Sequence, residues 1–122
     1  MREKKFRAWD KENEIMIYPK GILFDGRVVN FSCGMLEAFE GYEIMQYTGL
    51  KDKNGTEIYE GDIVKYPHIV GFDDIWKVEF SNGSFVIRET IVKISLRELA
   101  HKNNLEVIGN IYENPELLEV EE

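Results

Sequence analysis

The sequence has a single cysteine, Cys33, and no long apolar run, and each of these absences excludes a class of protein. One cysteine excludes an internal disulfide framework and any zinc site built on paired cysteines. No apolar stretch approaches the roughly 18–20 residues that a membrane-spanning helix needs, so we expect no membrane association. The N-terminal segment also lacks the apolar core of a secretory signal, which predicts a cytoplasmic protein.

The amino-acid composition of the chain is typical of one folded domain. Of the 122 residues, 43% are hydrophobic and 12% are aromatic, which is too apolar for a disordered chain. A chain of this length fits a single compact unit, residues 1–122. Short alternating segments separated by turn residues predict a small antiparallel sheet or barrel and argue against a parallel βαβ fold.

The net charge is strongly negative, because 15 Lys and Arg face 23 Asp and Glu, which gives −8. Such a field repels phosphate backbones and disfavours general nucleic-acid binding. The charge is unevenly distributed along the chain. Residues 1–11 hold five basic residues and two acidic ones, whereas residues 113–122 hold five glutamates and no basic residue. The acidic end is interpreted as a solvated tail, and head-to-tail attraction between protomers is the alternative.

The strongest local pattern is a hairpin around Asn82-Gly83, a pair that favours a two-residue type I′ turn. This turn sets a register in which Phe80 faces Phe85 and Val78 faces Ile87, on one side with Trp76. On the other side Lys77 lies opposite Arg88, and we expect the diagonal Glu79 to neutralise that like-charge pair. A bound anion is the alternative.

The turns at residues 49–62 and the segment at 33–41 give further expectations. Glycines at 49, 55 and 61 should form corners, with Gly55 and Asn54 at positive φ, and Asp62 should accept hydrogen bonds from turn amides. Ile58, Ile63 and Val64 are candidate core residues. Residues 33–41 are ambiguous, because Met35, Leu36 and Phe39 have helical spacing in a piece too short for a stable helix.

The C-terminal third contains two helix signals and one glycine signal. Ser95 and Glu98 form a capping-box pattern, which predicts a short helix through His101. Gly109 within the strand 105–112 predicts a bulge or a close backbone approach. Asn114-Pro115 predicts a capped helical turn. Residues 68–74 are interpreted as a loop.

The first strand supplies the candidate binding residues, Lys5, Arg7 and Trp9, which alternation places on one face. These side chains could stack on a nucleobase and contact its phosphates, or they could anchor a protein partner. Packing of Trp9 into the core or against an edge is the structural alternative.

No pattern predicts catalysis, a metal or a cofactor. In EF-hand spacing, the loop at Asp52 would need ligands at Leu50 and Gly61, which cannot supply them. His68 and His101 have no partner at ligand spacing, and Cys33 has no local base. We therefore expect no enzyme activity, no metal site and no cofactor.

Three segments carry a resemblance: residues 5–10 (KFRAWD), residues 45–64 (MQYTGLKDKNGTEIYEGDIV) and residues 106–117 (EVIGNIYENPEL). Together they resemble the YopX family of small phage and prophage proteins in low-GC Gram-positive bacteria. The resemblance implies a mainly β fold with a small, partly open SH3-like barrel and one or two short helices. It suggests a subdivision into an N-terminal β lobe, residues 1–44, and a barrel, residues 45–122. It supplies no catalytic residue.

The leading functional expectation is a non-enzymatic protein-interaction module that forms homo-oligomers and acts on a host or phage protein. The alternative is a small β-barrel that binds single-stranded nucleic acid. Mimicry of nucleic acid by the acidic surface would require carboxylates arrayed on one face.

Overall fold

A computed structural model describes residues 5–32, 34–66, 75–89, 92–100 and 105–118 of the chain. The strands are β1 (Phe6–Asp10), β2 (Ile15–Ile17), β3 (Gly21–Ile22), β4 (Val28–Ser32), β5 (Met35–Phe39), β6 (Tyr42–Lys51), β7 (Glu57–Tyr59), β8 (Asp62–Lys65), β9 (Ile75–Ser81), β10 (Ser84–Glu89), β11 (Val92–Ser95) and β12 (Glu106–Asn110). The described residues also contain one α-helix, α1 (Leu96–Ala100), and one 3₁₀ helix, Pro115–Leu118.

The described strands form three antiparallel sheets. Their strand orders are β2-β1-β6-β7, β11-β10-β9-β8-β12 and β3-β4-β5. One sheet curls into a half-barrel, which confirms the predicted mainly β, partly open barrel with few helices. The long strand β6 crosses the suggested boundary between residues 44 and 45 and pairs with β1, so the proposed subdivision cuts through a strand.

The β9–β10 hairpin has the predicted register. Phe80 pairs with Phe85 and Val78 with Ile87, and Asn82 and Gly83 have φ values of 52° and 86°, as a type I′ turn requires. The Arg88 Nε atom lies 2.5 Å from a carboxylate oxygen of Glu79, which confirms the expected neutralisation. Phe80 itself is 52% exposed, because it lies at the turn end of the hairpin, beyond the buried core.

The main hydrophobic core lies under the five-stranded sheet. Its buried members are Ile58, Val64, Tyr66, Trp76, Val78, Ile87, Leu96 and Leu105. Ile58, Ile63 and Val64 are fully buried, as predicted from the sequence. Burial of this many large apolar side chains is the principal source of stability in a fold of this size.

The predicted turns are largely confirmed. Gly55 and Gly61 lie in turns, each with a φ of 82°, whereas Gly49, with a φ of 86°, lies inside β6, where the register with β7 shifts between Tyr47 and Lys51. The prediction for Asn54 was wrong, since Asn54 is not among the residues with positive φ; the Asp52 carboxylate accepts its amide, so Gly55 alone makes the left-handed step.

Residues 35–39 form a strand, so hairpin pairing with β4 prevails over the helical spacing. In β12 the register shifts between Val107 and Gly109, which confirms the bulge. The helical turn after Asn114 is also confirmed, as a 3₁₀ helix. Cys33, the loop at 68–74 and the predicted helix end at His101 lie outside the described residues.

Candidate functional site

Two of the candidate binding residues, Arg7 and Trp9, lie on β1, and Lys5 immediately precedes it; β1 pairs with β2 on one side and with β6 on the other. Only Lys5 reaches solvent, with a side chain that is 40% exposed and ion-paired with Glu57. Its ammonium group lies 5.4 Å from the centroid of the Tyr47 ring. Arg7 and Trp9 are 6% and 9% exposed, so β1 presents little of its predicted binding face to a ligand.

Arg7 is the centre of a buried polar cluster. Its Nη2 atom donates to the Asp62 carboxylate at 2.6 Å and to the Glu60 carbonyl oxygen at 3.3 Å. The guanidinium carbon lies 4.7 Å from the centroid of the Tyr59 ring, in cation–π range. The Arg7 Nε atom is buried and has no hydrogen-bond partner among the described residues.

Asp62 completes the cluster by joining β1 to the β7–β8 turn. Its second carboxylate oxygen accepts the Tyr59 backbone amide at 2.8 Å, which confirms its predicted role in the turn. Burial raises the pKa of this carboxyl group, and the charge and hydrogen bond of Arg7 oppose that rise. The pair holds two elements together that are 55 residues apart in the sequence.

Trp9 packs against the C-terminal segment. Its ring stacks on Tyr112, with centroids 5.5 Å apart and an interplanar angle of 19°. This is the structural alternative that the sequence offered for Trp9. The KFRAWD and GNIY segments therefore contact each other in the fold, and no spacing in the sequence predicts that contact.

Aspartates other than Asp62 also accept hydrogen bonds from backbone amides. Asp10 accepts the amides of Glu12 and Asn13, and Asp52 accepts those of Asn54, Thr56 and Val107. A hydrogen bond from the Asn13 side chain is the main cause that lowers the pKa of Asp10. These buried aspartates organise turns, which is a structural use of their charge.

Two adjoining depressions lie beside this cluster and share Tyr18 and Tyr59. A cleft of about 380 Å³ lies next to the ion pair, between the β7–β8 turn and β12, and is lined by Arg7, Asp62, Asn110 and Glu113 among others. A groove of about 470 Å³ continues from it and is lined by Lys5, Phe6, Tyr18, Pro19, Lys20, Gly21, Ile22 and Tyr59. Tyr18 is 63% exposed there.

The sequence reasoning missed an exposed apolar surface on the β3-β4-β5 sheet. Cross-strand pairing puts Phe31 opposite Leu36 and Val29 opposite Ala38, all on one face. Phe31 and Leu36 are 58% and 59% exposed. Alternation along 29–31 and 36–38 was the available signal, but the helical spacing of Met35, Leu36 and Phe39 left residues 33–41 ambiguous.

The described part of the chain has neither a metal-binding cluster nor a membrane-spanning helix. It contains no group of three or more His, Cys, Asp or Glu side chains arranged to hold a metal ion. None of its helices is long and apolar enough to cross a bilayer.

Comparisons with known proteins place the chain in a family. The YopX protein family model matches residues 5–119. The crystal structure of protein EF1440 from Enterococcus faecalis is 33% identical, with a TM-score of 0.69 over 98% of this chain and 100% of that one. The crystal structure of protein yopX from Bacillus subtilis is 23% identical, with a TM-score of 0.67 over both full chains. No curated protein matches. The chain belongs to the YopX family.

Proposed function

We propose that this member of the YopX family is a non-enzymatic, prophage-derived protein-interaction module that associates with copies of itself. The observation that carries the proposal is the apolar face of the β3-β4-β5 sheet. Phe31 and Leu36 expose more than half of their surface on that face, beside Ala38, and none of these residues is charged. Contiguous exposed apolar patches mark interaction surfaces in folded proteins.

The buried carboxylates support the non-enzymatic part of the proposal. Asp10, Asp52 and Asp62 all accept backbone amides, and Asp62 is in addition ion-paired with Arg7. A general acid or base must be free to exchange protons with a substrate. These groups instead hold turns and strands together.

A second copy is the partner that we propose for this face, and the charge pattern restricts where two copies can meet. Each copy carries a net charge of −8, so encounter through most of the surface is repelled. Phe31 and Leu36 carry no negative charge, and the Lys20 ammonium group lies 5.6 Å from the centroid of the Phe31 ring, so this face is less repulsive to a second copy than the acidic remainder of the surface. Association should therefore strengthen or stay constant as salt rises, whereas the head-to-tail alternative between basic and acidic ends predicts weakening.

Sedimentation velocity across the micromolar range tests the proposal. The wild-type protein should form a reversible oligomer, and Phe31→Ser combined with Leu36→Ser should weaken its association about tenfold or more. The control is Phe80→Ser, which removes a 52% exposed aromatic side chain from the β9–β10 hairpin, in a different sheet. A wild-type protein that stays monomeric throughout, or a double variant that associates normally, would contradict the proposal.

Single-stranded nucleic acid is a second candidate, favoured by the groove beside β1. Two lysines, Lys5 and Lys20, lie there with the exposed rings of Phe6 and Tyr18, which is a combination suited to phosphates and bases. Fluorescence anisotropy with a labelled oligonucleotide at low salt should then show binding that Tyr18→Ser and Lys20→Gln weaken. Lys53→Gln, a change in an exposed turn, is the control. Anisotropy that does not change as protein is added would contradict nucleic-acid binding.

A further inference from the structure

The strand β5 has an open edge. It pairs with β4 on one side, and among the described residues no strand pairs with its other side. The Leu23 amide donates to the Arg27 carbonyl oxygen at 2.9 Å, which directs the backbone groups of residue 27 toward β3. Because backbone groups alternate along a strand, those of Val28 and Asn30 point toward β5.

The same alternation assigns the backbone groups of β5. Phe39 and Glu37 are the partners of Val28 and Asn30, so their amides and carbonyls point back toward β4. The groups of Leu36 and Ala38 consequently point outward, away from the sheet. This edge offers two residues whose N–H and C=O groups are both directed at an incoming strand.

The edge also lacks the features by which natural sheets discourage pairing. Its five residues, Met-Leu-Glu-Ala-Phe, contain no proline or lysine and only one charge, on Glu37. Four of the five are exposed. Open edges of this kind readily accept another strand.

We propose that two copies of this chain pair through β5, antiparallel, with Leu36 opposite Leu36 of the second copy on a two-fold axis. The inference rests on the proposed self-association and places the contact at the edge of the apolar sheet, where Leu36 meets Leu36 of the second copy, while the apolar faces of the two sheets join side by side. The two three-stranded sheets then join into one continuous sheet of six strands, in which β5 lies next to β5 of the second copy.

Charge selects this register from the three that use the open edge. With Glu37 on the axis, two carboxylates would be directly opposite, which destabilises a strand pair. With Leu36 on the axis, Glu37 lies opposite Met35 and Ala38 lies opposite Gly34. The two glutamates are then on diagonal positions, and no like charges oppose each other.

Apolar contact separates the two registers that remain. With Leu36 on the axis, the row across the seam reads Phe31, Leu36, Leu36, Phe31, all on one face of the joined sheet. With Ala38 on the axis, the central row reads Val29, Ala38, Ala38, Val29, and Leu36 lies opposite Glu40. The Leu36 register therefore joins the two most exposed side chains of the patch into one surface.

Single cysteines on β5 test the register, in a background where Cys33→Ser removes the natural thiol. Directly opposite residues have Cα atoms about 4.5–5.5 Å apart, which a disulfide can span. Leu36→Cys should form a disulfide-linked dimer under mild oxidation. Glu37→Cys and Ala38→Cys place the thiols roughly 8 and 14 Å apart in the same register, too far to be bridged.

The outcomes separate this geometry from self-association itself. A Leu36→Cys dimer at least tenfold more abundant than the other two supports the register. A dominant Glu37→Cys or Ala38→Cys dimer overturns it in favour of another register, while the proposed self-association stands. A chain that sediments as an oligomer without any crosslink also overturns it, and a chain that is monomeric overturns both proposals.

Amide hydrogen exchange provides a readout that needs no substitution. In the paired state, the amides of Leu36 and Ala38 form hydrogen bonds to the second copy, whereas those of Glu37 and Phe39 are already bonded within the sheet. Protection at 36 and 38 should therefore fall on dilution, while protection at 37 and 39 changes little. Protection at all four positions that is independent of concentration would contradict β5 pairing.

Discussion

Strands β1 and β5 have the same length, yet their exposure is the reverse of what their composition suggests. β1 reads Phe-Arg-Ala-Trp-Asp and is buried at four of five positions, including both charged residues. β5 reads Met-Leu-Glu-Ala-Phe, with four apolar residues, and is exposed at four of five. β1 has a neighbour on each side, whereas β5 has β4 alone among the described strands. The exposure of these two strands therefore depends on how many strands lie beside each of them, and not on their composition.

The largest expected effect comes from removing the charge that β1 buries. Arg7→Met leaves the Asp62 carboxylate 2% exposed and without its partner, so the free energy of unfolding should fall by about 3–5 kcal/mol. Urea unfolding monitored by fluorescence measures this. Lys11→Met is the control, because the Lys11–Glu43 pair is about half exposed and solvent screens its charges, so its loss should change the free energy of unfolding far less.

A companion variant separates charge burial from loss of packing. Adding Asp62→Asn to Arg7→Met removes the unpaired charge and keeps an oxygen acceptor for the Tyr59 amide. This double variant should recover part of the lost stability. If Arg7→Met alone unfolds at the wild-type urea concentration, the ion pair does not stabilise β1.

The next prediction compares the space around a crowded residue of β12 with the space around an exposed residue of β5. An alanine Cβ at Gly109 would lie 2.5 Å from the Asn114 side-chain oxygen, which accepts the Asn110 amide. Gly109→Ala should therefore cost about 1–3 kcal/mol in urea unfolding. Ala38→Val adds volume to the exposed strand β5 and should change stability by less than about 0.5 kcal/mol. Equal losses in both variants would contradict the contrast.

A matched pair of turn glycines asks whether the β3-β4-β5 sheet unfolds separately. Gly83 and Gly34 have φ values of 86° and 82°, and neither has an atom within 4 Å of an added Cβ. Alanine at either site costs about 1–2 kcal/mol of backbone strain. Gly83→Ala should lower the global stability by that amount, whereas Gly34→Ala should lower amide protection in β4 and β5 alone.

The two glycine variants are compared by hydrogen exchange and urea unfolding of the same samples. If Gly34→Ala lowers the global unfolding midpoint as much as Gly83→Ala does, the two regions unfold as one unit.

The smallest expected effect is on pH dependence. The Asn13 side chain lowers the pKa of Asp10, and the Arg27 backbone amide lowers that of Asp25 in the β3–β4 turn. A carboxyl group with a lowered folded-state pKa binds fewer protons folded than unfolded. Its stabilisation is thus present above its unfolded pKa, 3.8, and is lost as pH falls below it.

Asn substitutions keep the oxygen acceptor and remove the titration. Asp10→Asn should make the acid-side decline of the global free energy of unfolding shallower between pH 5 and pH 2. Asp25→Asn should do the same for amide protection in the β3-β4-β5 sheet. An unchanged slope in either variant would show that the lowered pKa does not contribute to folding there.

Several elements of the fold could be predicted because they depend on neighbouring residues. The type I′ turn at Asn82-Gly83 sets the register of its own hairpin, and the Gly109 bulge and the 3₁₀ turn after Asn114 have local causes. The candidate site could not be predicted in this way. Alternation put Arg7 and Trp9 on one face correctly, but the partners that bury them, Asp62 and Tyr112, come from distant segments.

By itself the sequence determined the strand-and-turn pattern, the glycine corners, the family and the negative charge, since each is a property of adjacent residues or of their sum. The tertiary structure alone decided which strand would be enclosed and which would keep an open edge. That outcome depends on contacts between residues as much as 55 positions apart, such as Arg7 and Asp62. A buried arginine and an exposed leucine result from the same cause, the arrangement of neighbouring strands.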